Sequence, residues 1–384
     1  MTLPTTGTVP SPAVAGKPAD LAPAAETGPG DWIAIHIFYA ANPRPLIVQC
    51  LAPLIKSLDS KGLLHGYFYI NYWLEGPHIR LRLRSSSARA AEPVRRETED
   101  ALAAFLRARP ALYEVKSEFL VDLYNTLFEM EFMSDERAKH CGPDGRMRLR
   151  QNNTFSYETY EPEYGKYGGP AGVELAEWHF RHSTDLTIDA VAMMNLHIRT
   201  VLLGVAAQLM MVMSACFLPD HEVLADYLQR YHDFWHSASA GTELIAAAGY
   251  DRNYDNMADL VTRRFAEIQS ALRDADLEGL PGFLRTWAEH CIELRDRARA
   301  LATAGELVFR SWDGTRDLRV SDPDAALQLL LSPYLHMTNN RLHATMRDEA
   351  YLSYVLARSL RDAAAAASGA ANAASAGAGA GPTT

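Results

Sequence analysis

Hydrophobic residues alternate with other residues in parts of the first third of the chain, a spacing that is typical of β-strands. In the segment Trp32–Tyr39, the side chains of Ile33, Ile35 and Ile37 fall on one side. The same reasoning predicts two further strands and the turn between them: Tyr67–Trp73, Glu75–Pro77 and His78–Arg84.

Apolar residues recur every three or four positions in two stretches beside these strands, which predicts amphipathic helices. The first helix begins at Pro45 and carries its apolar face at Leu46, Cys50, Leu51, Leu54 and Leu58. The second helix covers 92–109, with Pro93 in its first turn and Pro110 directly after its end.

Helical spacing dominates the second half of the chain. Helices are predicted near 187–218, 222–238, 256–274, 283–307, 323–335 and 341–362. Strands that precede a run of helices predict an α+β protein. Its N-terminal half would hold a mixed or antiparallel sheet with helices, and its second half would be mostly helical.

One domain is expected over 31–362. The extension 1–30 and the Ala/Gly/Ser tail 363–384 contain too few large apolar side chains to order themselves, so both are predicted to be disordered.

Composition narrows the class of protein. The chain has 37 Lys and Arg against 47 Asp and Glu, a net charge of −10, which argues against direct nucleic-acid binding over a broad surface. Its cysteines show neither a CxxC pair nor a zinc-type spacing to histidine: Cys50, Cys141, Cys216 and Cys291. We therefore expect reduced thiols, no metal site and a cytoplasmic protein. The N-terminus has no basic start followed by an apolar run, so no signal peptide is expected.

One apolar run has the threshold length of a membrane-spanning helix. Val201–Leu218 contains no charged residue. However, Gly204, Gln208 and Ser214 interrupt the run, and its helical pattern continues upstream into charged positions. A buried core helix is the preferred interpretation, and no membrane partner is expected.

The segment His78–Arg84 carries the first candidate chemistry. On a strand, His78, Arg80, Arg82 and Arg84 share one face, and their guanidinium groups repel one another unless an anion lies among them. Guanidinium forks suit carboxylate or phosphate. The alternative is a solvated edge strand whose charges prevent aggregation.

Two further segments are polar and compact. The loop Thr159–Gly169 combines tyrosines, acids, Lys166 and a Gly-Gly pair; alone, it is better explained as a structural turn than as a phosphate site, because it matches no nucleotide fingerprint. Ser332–Arg341 is predicted at a junction of two helices, where Thr338 or Asn339 would cap the last helix. There His336 is either an acid or base or a structural histidine. No cofactor is predicted.

Taken in order, these segments resemble the motifs of the C-terminal family of lantibiotic dehydratases, also called the thiopeptide-type bacteriocin biosynthesis domain. The first motif is YFYINYW followed by GPHIRLR. The second, a YxxExxRYGG loop followed by an acid and a Ser-Ser/Thr pair, is similar to Tyr160–Gly169 with Glu177, Ser183 and Thr184. The third, SxxxHMxxNR, is similar to Ser332–Arg341 with Glu349 beyond it. The resemblance covers about 32–360.

The resemblance implies an enzyme that matures ribosomally made peptides. In the family, a partner domain glutamylates Ser or Thr of a precursor peptide from glutamyl-tRNA, and this domain then eliminates glutamate to leave dehydroalanine or dehydrobutyrine. It implies Arg80, Arg82 and Lys166 as cations that bind glutamate, and His336 as acid or base. Substrate contacts are implied for a second set: His78, Arg84, Tyr160, Glu163, Tyr167, Asn340 and Arg341.

The expected partners are a precursor peptide with its leader and a separate glutamyl-tRNA-dependent ligase; a homodimer is also allowed. Two departures leave the reaction open, because the family has arginine where this chain has Asn71 and Lys166. An insert near 117–153 is a third departure. The alternatives to elimination are a [4+2] cycloaddition on a dehydrated thiopeptide precursor, as in the related pyridine synthases, and a non-catalytic subunit that binds the leader peptide.

Overall fold

The computed structural model describes residues 31–113, 127–128, 137–238, 250–311 and 314–378. The predicted extension 1–30, the last residues of the predicted tail and much of the insert near 117–153 lie outside the described residues. The described part of the insert packs beneath the turn that follows the second strand, where Phe128, Cys141 and Met147 form a small apolar cluster with Leu74.

The first half is built on one antiparallel sheet of four strands in the order β2-β3-β1-β4. The strands are β1 (Trp32–Phe38), β2 (Leu64–Tyr72), β3 (His78–Ser85) and β4 (Thr154–Glu158). The α+β prediction is confirmed, and the sheet is antiparallel rather than mixed. Strand β4 was not predicted from the sequence.

One face of the sheet forms part of the core. Ile35, Ile37 and Leu81 have no exposed surface, as the alternation predicts. Three helical segments pack in this half of the molecule: α1 (Arg44–Leu46), continued by a π-helical turn (Ile47–Leu51) into α2 (Ala52–Ser60), and then α3 (Ala88–Ala108). Helix α3 begins earlier than predicted because Ser87 caps it, accepting a hydrogen bond from the Ala90 amide. Pro93 therefore lies inside the helix.

The second half is mostly helical, as predicted. Its helices are α4 (Arg137–His140), α5 (Tyr164–Tyr167), α6 (Gly169–Met193), α7 (Arg199–Phe217), α8 (His221–Ala238), α9 (Tyr250–Asp255), α10 (Ala258–Arg273), α11 (Gly282–Thr303), α12 (Pro323–Leu342) and α13 (Met346–Ala378). A small hairpin, β5 (Val308–Arg310) and β6 (Asp317–Arg319), was not predicted.

Further helix boundaries differ from the sequence prediction, among them the start of α6 at Gly169 instead of near 187. The stretch predicted as one helix over 187–218 is broken between Met193 and Arg199, where α6 ends and α7 begins. Helix α12 continues to Leu342 instead of ending near 335. Helix α13 runs to Ala378, inside the predicted tail, consistent with the high helix propensity of alanine.

Helix α7 is long and apolar enough to cross a membrane by length and composition, and 61% of its most apolar window is buried inside the protein. It packs against α10, α11, α12 and α13. Burial among other helices is the environment of a core helix, which agrees with the sequence interpretation.

The core of the helical half contains a buried pair of histidines. The ring nitrogens His179 Nδ1 and His290 Nε2 lie 2.9 Å apart, and the rings are stacked. Burial lowers the pKa of His290 to about 3 and holds the pKa of His179 well below its ordinary value. Both side chains are therefore neutral in the folded protein near pH 7.

Candidate active site

The second face of the sheet carries the basic residues of β3. In the strand register, Arg82 lies opposite Ala34 of β1 and Phe68 of β2, and Arg80 lies opposite His36 of β1. Because side chains alternate between faces, these positions share the face away from the isoleucines. This confirms the predicted arrangement of the arginines on one side of the strand.

Two histidines contact the guanidinium groups of Arg80 and Arg82. Arg82 Nη2 lies 3.2 Å from His36 Nε2, and Arg80 Nε donates to His78 Nε2 at 3.4 Å. The His78 Nδ1 atom lies 2.9 Å from the carbonyl oxygen of Gly76. Burial and the nearby cations lower the pKa of His36 to about 2 and that of His78 to about 3. Both rings are thus neutral and accept hydrogen bonds from the arginines.

Arg82 is a buried cation on which the carboxylate of Glu158 acts only at longer range than an ion pair. Arg82 is only 5% exposed, and its Nε has no hydrogen-bond partner among the described residues. Among the described residues, no carboxylate forms an ion pair with it. Burial, together with repulsion by Arg80, lowers the pKa of Arg82 to about 10. A buried charge of this kind is costly unless a ligand of opposite charge completes the site.

Tyr160 interacts with both Arg82 and the carboxylate of Glu177. The guanidinium carbon of Arg82 is 5.6 Å from the ring centroid of Tyr160, and the Tyr160 hydroxyl donates to the carboxylate of Glu177. Arg84 approaches the same carboxylate at 3.7 Å, and the Trp32 side chain also donates to it. Burial raises the pKa of Glu177. The pKa of Tyr160 is raised by burial and by the negative charge of Glu177.

These groups line one cleft between the sheet and helix α6. It brings together parts of all three sequence motifs: the lining consists of Phe68, Ile70, Arg80, Arg82, Tyr160, Glu161, Glu163, Tyr167, Val173, Ala176, Glu177, Phe180 and Met337. Tyr167 is 3% exposed and forms part of the wall, packed against Phe180.

Tight backbone geometry places the second motif at the cleft. Gly168 and Gly169 both have positive φ angles, +90° and +83°, a backbone conformation that glycine adopts without strain. At Gly172, in the first turn of α6, an added Cβ would lie 1.8 Å from the carbonyl oxygen of Tyr167. Only glycine lets the chain turn so closely from α5 into α6.

Lys166 lies beside the cleft and is not among its lining residues. Its Nζ is 3.3 Å from the carboxylate of Glu163, and the two side chains are 39% and 58% exposed. Asn71, the other departure from the family motifs, is held by helix α12: its amide donates to Asn340 Oδ1 at 2.9 Å, and its Nδ2 donates to the Asn340 carbonyl at 2.7 Å.

Asn340 and Arg341 hold the outer edge of strand β2. Arg341 Nε donates to the Tyr69 carbonyl at 2.9 Å, and Asn340 Nδ2 donates to the Asn71 carbonyl at 2.8 Å. Arg341 has no exposed surface. These contacts satisfy backbone groups that an edge strand otherwise leaves open. The substrate contacts expected of Asn340 and Arg341 stay a prediction.

His336 belongs to a second cluster in the helical half. It lies inside α12 rather than at a helix junction, and its Nδ1 is 2.9 Å from Glu349 Oε1. Tyr231 donates to the other oxygen of Glu349, and the ring of Trp235 lies 5.4 Å from the imidazole. His336 does not line the cleft, although the next residue, Met337, does.

The predicted cap of the last helix is also corrected. Thr338 and Asn339 lie within α12, and the Thr338 hydroxyl donates to the Tyr334 carbonyl. Thr345 and Asp348 form the cap instead: the Asp348 amide donates to the Thr345 hydroxyl, and the Thr345 amide donates to the Asp348 carboxylate at 2.8 Å.

His36 is a residue of the site that sequence reasoning missed. The alternation of β1 places His36 on the face away from the isoleucines, but the sequence does not show which strand lies next to β1.

In the described part of the chain, no three His, Cys, Asp or Glu side chains are grouped so that they could hold a metal ion. The four cysteines are buried free thiols.

Together, the fold and the cleft define an α+β protein with a buried arginine site on one face of its sheet. The chain belongs to the family described as lantibiotic biosynthesis dehydratase C-term, whose model matches residues 32–360. This confirms the resemblance drawn from the three motifs, and it supports a role in tailoring ribosomally made peptides.

Solved structures share the fold at low sequence identity. The pyridine synthase TbtD from thiomuracin biosynthesis is 22% identical, with a TM-score of 0.65 over 86% of this chain and 98% of TbtD. TsrL is 17% identical, with a TM-score of 0.60 over 87% of this chain and 95% of TsrL. The tRNA-dependent lantibiotic dehydratase MibB from Microbispora sp. 107891 is 17% identical, with a TM-score of 0.51 over 89% of this chain and 29% of MibB. Comparison with curated proteins gave no match.

Proposed function

We propose that this protein eliminates glutamate from glutamylated Ser or Thr residues of a precursor peptide, which leaves dehydroalanine or dehydrobutyrine. The observation that carries the proposal is Arg82, a buried guanidinium that lines a cleft beside Arg80 without a carboxylate partner among the described residues. A glutamyl group brings a carboxylate to such a site, whereas a peptide that is already dehydrated brings none there.

The reaction needs a base and a site for the leaving group. The base removes the α-proton of the modified residue, the Cα–Cβ double bond forms, and the bond from Cβ to the ester oxygen breaks, so that glutamate departs as a carboxylate. Arg80 and Arg82 would hold the glutamyl group through a carboxylate and so position it for departure. The family motif suggests His336 as the base. Its Nδ1 faces Glu349, which leaves Nε2 to accept a proton.

The test is single-turnover conversion of a pre-glutamylated precursor by the purified protein, followed by mass spectrometry of the peptide and detection of free glutamate. Arg82→Ala should lower the rate at least about a hundredfold, since a charged contact at the reacting group is lost. The exposed Arg96→Ala is the matched control and should keep the wild-type rate. An unmodified glutamyl peptide after incubation with wild-type protein would contradict the proposal.

A second candidate function is cycloaddition of two dehydroalanines. It is favoured by the likeness to TbtD over nearly the whole of that chain, and by the finding that neither Lys166 nor His336 is among the residues that line the cleft. In that case the Tyr160 hydroxyl would be the more important group at the cleft. Incubation with a dehydrated precursor separates the two functions, because only a cycloaddition enzyme converts that peptide.

The proposed partners follow from the elimination reaction. The substrate would be a precursor peptide with its leader, and a glutamyl-tRNA-dependent ligase would supply the glutamyl group.

A further inference from the structure

The cleft holds charges of both signs, in separate places. Arg80 and Arg82 lie on strand β3, whereas Glu177 lies on helix α6, and Tyr160 interacts with both Arg82 and Glu177. A site that binds only a carboxylate would bind it most tightly if every charged group around it were a cation. A nearby anion that also lines the cleft indicates a ligand with a positive group beside its negative one.

Glu177 retains capacity to bind a cation. Its carboxylate accepts hydrogen bonds from Tyr160 and Trp32, and Arg84 lies at 3.7 Å, beyond a short ion pair. Two carboxylate oxygens offer about four acceptor positions, so at least one remains after these three contacts. The side chain is 11% exposed, so water screens its charge weakly.

The other acids of the cleft are less suited to this role. Glu163 already lies 3.3 Å from Lys166, and its side chain is 58% exposed. Glu161 is exposed as well. Exposed carboxylates gain little from one additional ion pair, because water competes for both partners.

The leaving group of the proposed reaction has the matching charges. An amino acid on tRNA is esterified through its α-carboxyl group, so a transferred glutamyl residue keeps a free α-ammonium group and a free γ-carboxylate. We infer that the cleft recognises this pair of charges, with Glu177 as the counter-ion of the α-ammonium group and Arg80 and Arg82 as the ligands of the γ-carboxylate. The inference rests on the proposed function and adds the requirement for a free amino group.

Two small esters test the inference directly. Glutamic acid α-methyl ester carries the ammonium group and the γ-carboxylate, whereas monomethyl glutarate lacks only the ammonium group. Binding of each to the full-length protein is measured by calorimetry or by ligand-observed NMR. Wild-type protein should bind the amino ester at least about tenfold more tightly, since a charge-assisted hydrogen bond is gained. Glu177→Gln should abolish this preference, and the exposed Glu174→Gln on the same helix should retain it.

The outcomes separate this inference from the proposed function. If wild-type protein binds both esters equally, the role of Glu177 is wrong and the arginine site stands. If Glu177→Gln weakens both esters by the same factor, Glu177 acts only through its neighbours, and the inference is also overturned. If wild-type protein binds neither ester, the assignment of the arginines to glutamate fails, and both conclusions are withdrawn.

Discussion

The sheet cleft and the helical half each bury a charged group from a family motif, but the two groups are balanced differently. Arg82 in the cleft is 5% exposed, and its hydrogen-bond partners among the described residues are a neutral histidine and a backbone carbonyl. Glu349 in the helical half has no exposed surface and is held by His336 and Tyr231. Among the described residues, the charge of Arg82 has no ion-pair partner, whereas the charge of Glu349 is held by groups of the helical half.

Acid should produce the largest effect, because both regions bury neutral histidines. Burial lowers the pKa of His36 to about 2 and those of His78 and His290 to about 3, and that of His179 lies well below its ordinary value. In the unfolded chain these groups take up protons below about pH 6.5. The unfolded state therefore binds more protons, and stability is lost as the pH falls from about 6.5 towards 3. Each group contributes about 1.4 kcal/mol per pH unit.

Urea unfolding at pH 7, 6 and 5 measures this loss. Replacing one histidine in each region compares them: His36→Gln for the cleft and His290→Gln for the helical half. Each variant should reduce the slope of stability against pH by about one proton. A slope that stays at the wild-type value in His36→Gln would show that this ring is not buried as a neutral group.

Matched methionine substitutions test the difference in charge balance. Glu349→Met removes the acceptor of the buried Tyr231 hydroxyl and of the half-buried His336 and should lower the free energy of unfolding by about 1–3 kcal/mol. Arg82→Met removes a buried charge without an ion-pair partner among the described residues and should change it by less than about 1 kcal/mol in either direction. Both are measured by urea unfolding without ligand. A large loss of stability in Arg82→Met would mean that the fold itself depends on the guanidinium.

The sequence predicts the face on which the arginines lie, since strand alternation alone places Arg80 and Arg82 opposite Ile79 and Leu81. It also predicts a structural turn in the loop that contains the Gly-Gly pair. Both depend on local geometry, for which neighbouring residues are sufficient.

Long-range features were not predictable in the same way. Strand β4 is only five residues long, TFSYE, and is defined by its pairing with β1 more than a hundred residues earlier. Likewise, Arg341 caps the edge of β2 at Tyr69, and His36 accepts a hydrogen bond from Arg82. A motif shows which residue types belong together, but only the packed structure separates those that line a cleft from those that support it.

The smallest expected effect concerns Lys166, which the sequence comparison places among the glutamate ligands and the structure places beside Glu163. An exposed ion pair is worth up to about 1 kcal/mol. If Lys166 serves only Glu163, single-turnover elimination by Lys166→Arg and Lys166→Ala should stay within about fivefold of wild type. If glutamate is its ligand, arginine adds a bidentate contact of roughly 1–2 kcal/mol, and Lys166→Arg should gain about five- to thirtyfold while Lys166→Ala loses activity. A faster Lys166→Arg and a slower Lys166→Ala would show that Lys166 binds glutamate together with Arg80 and Arg82.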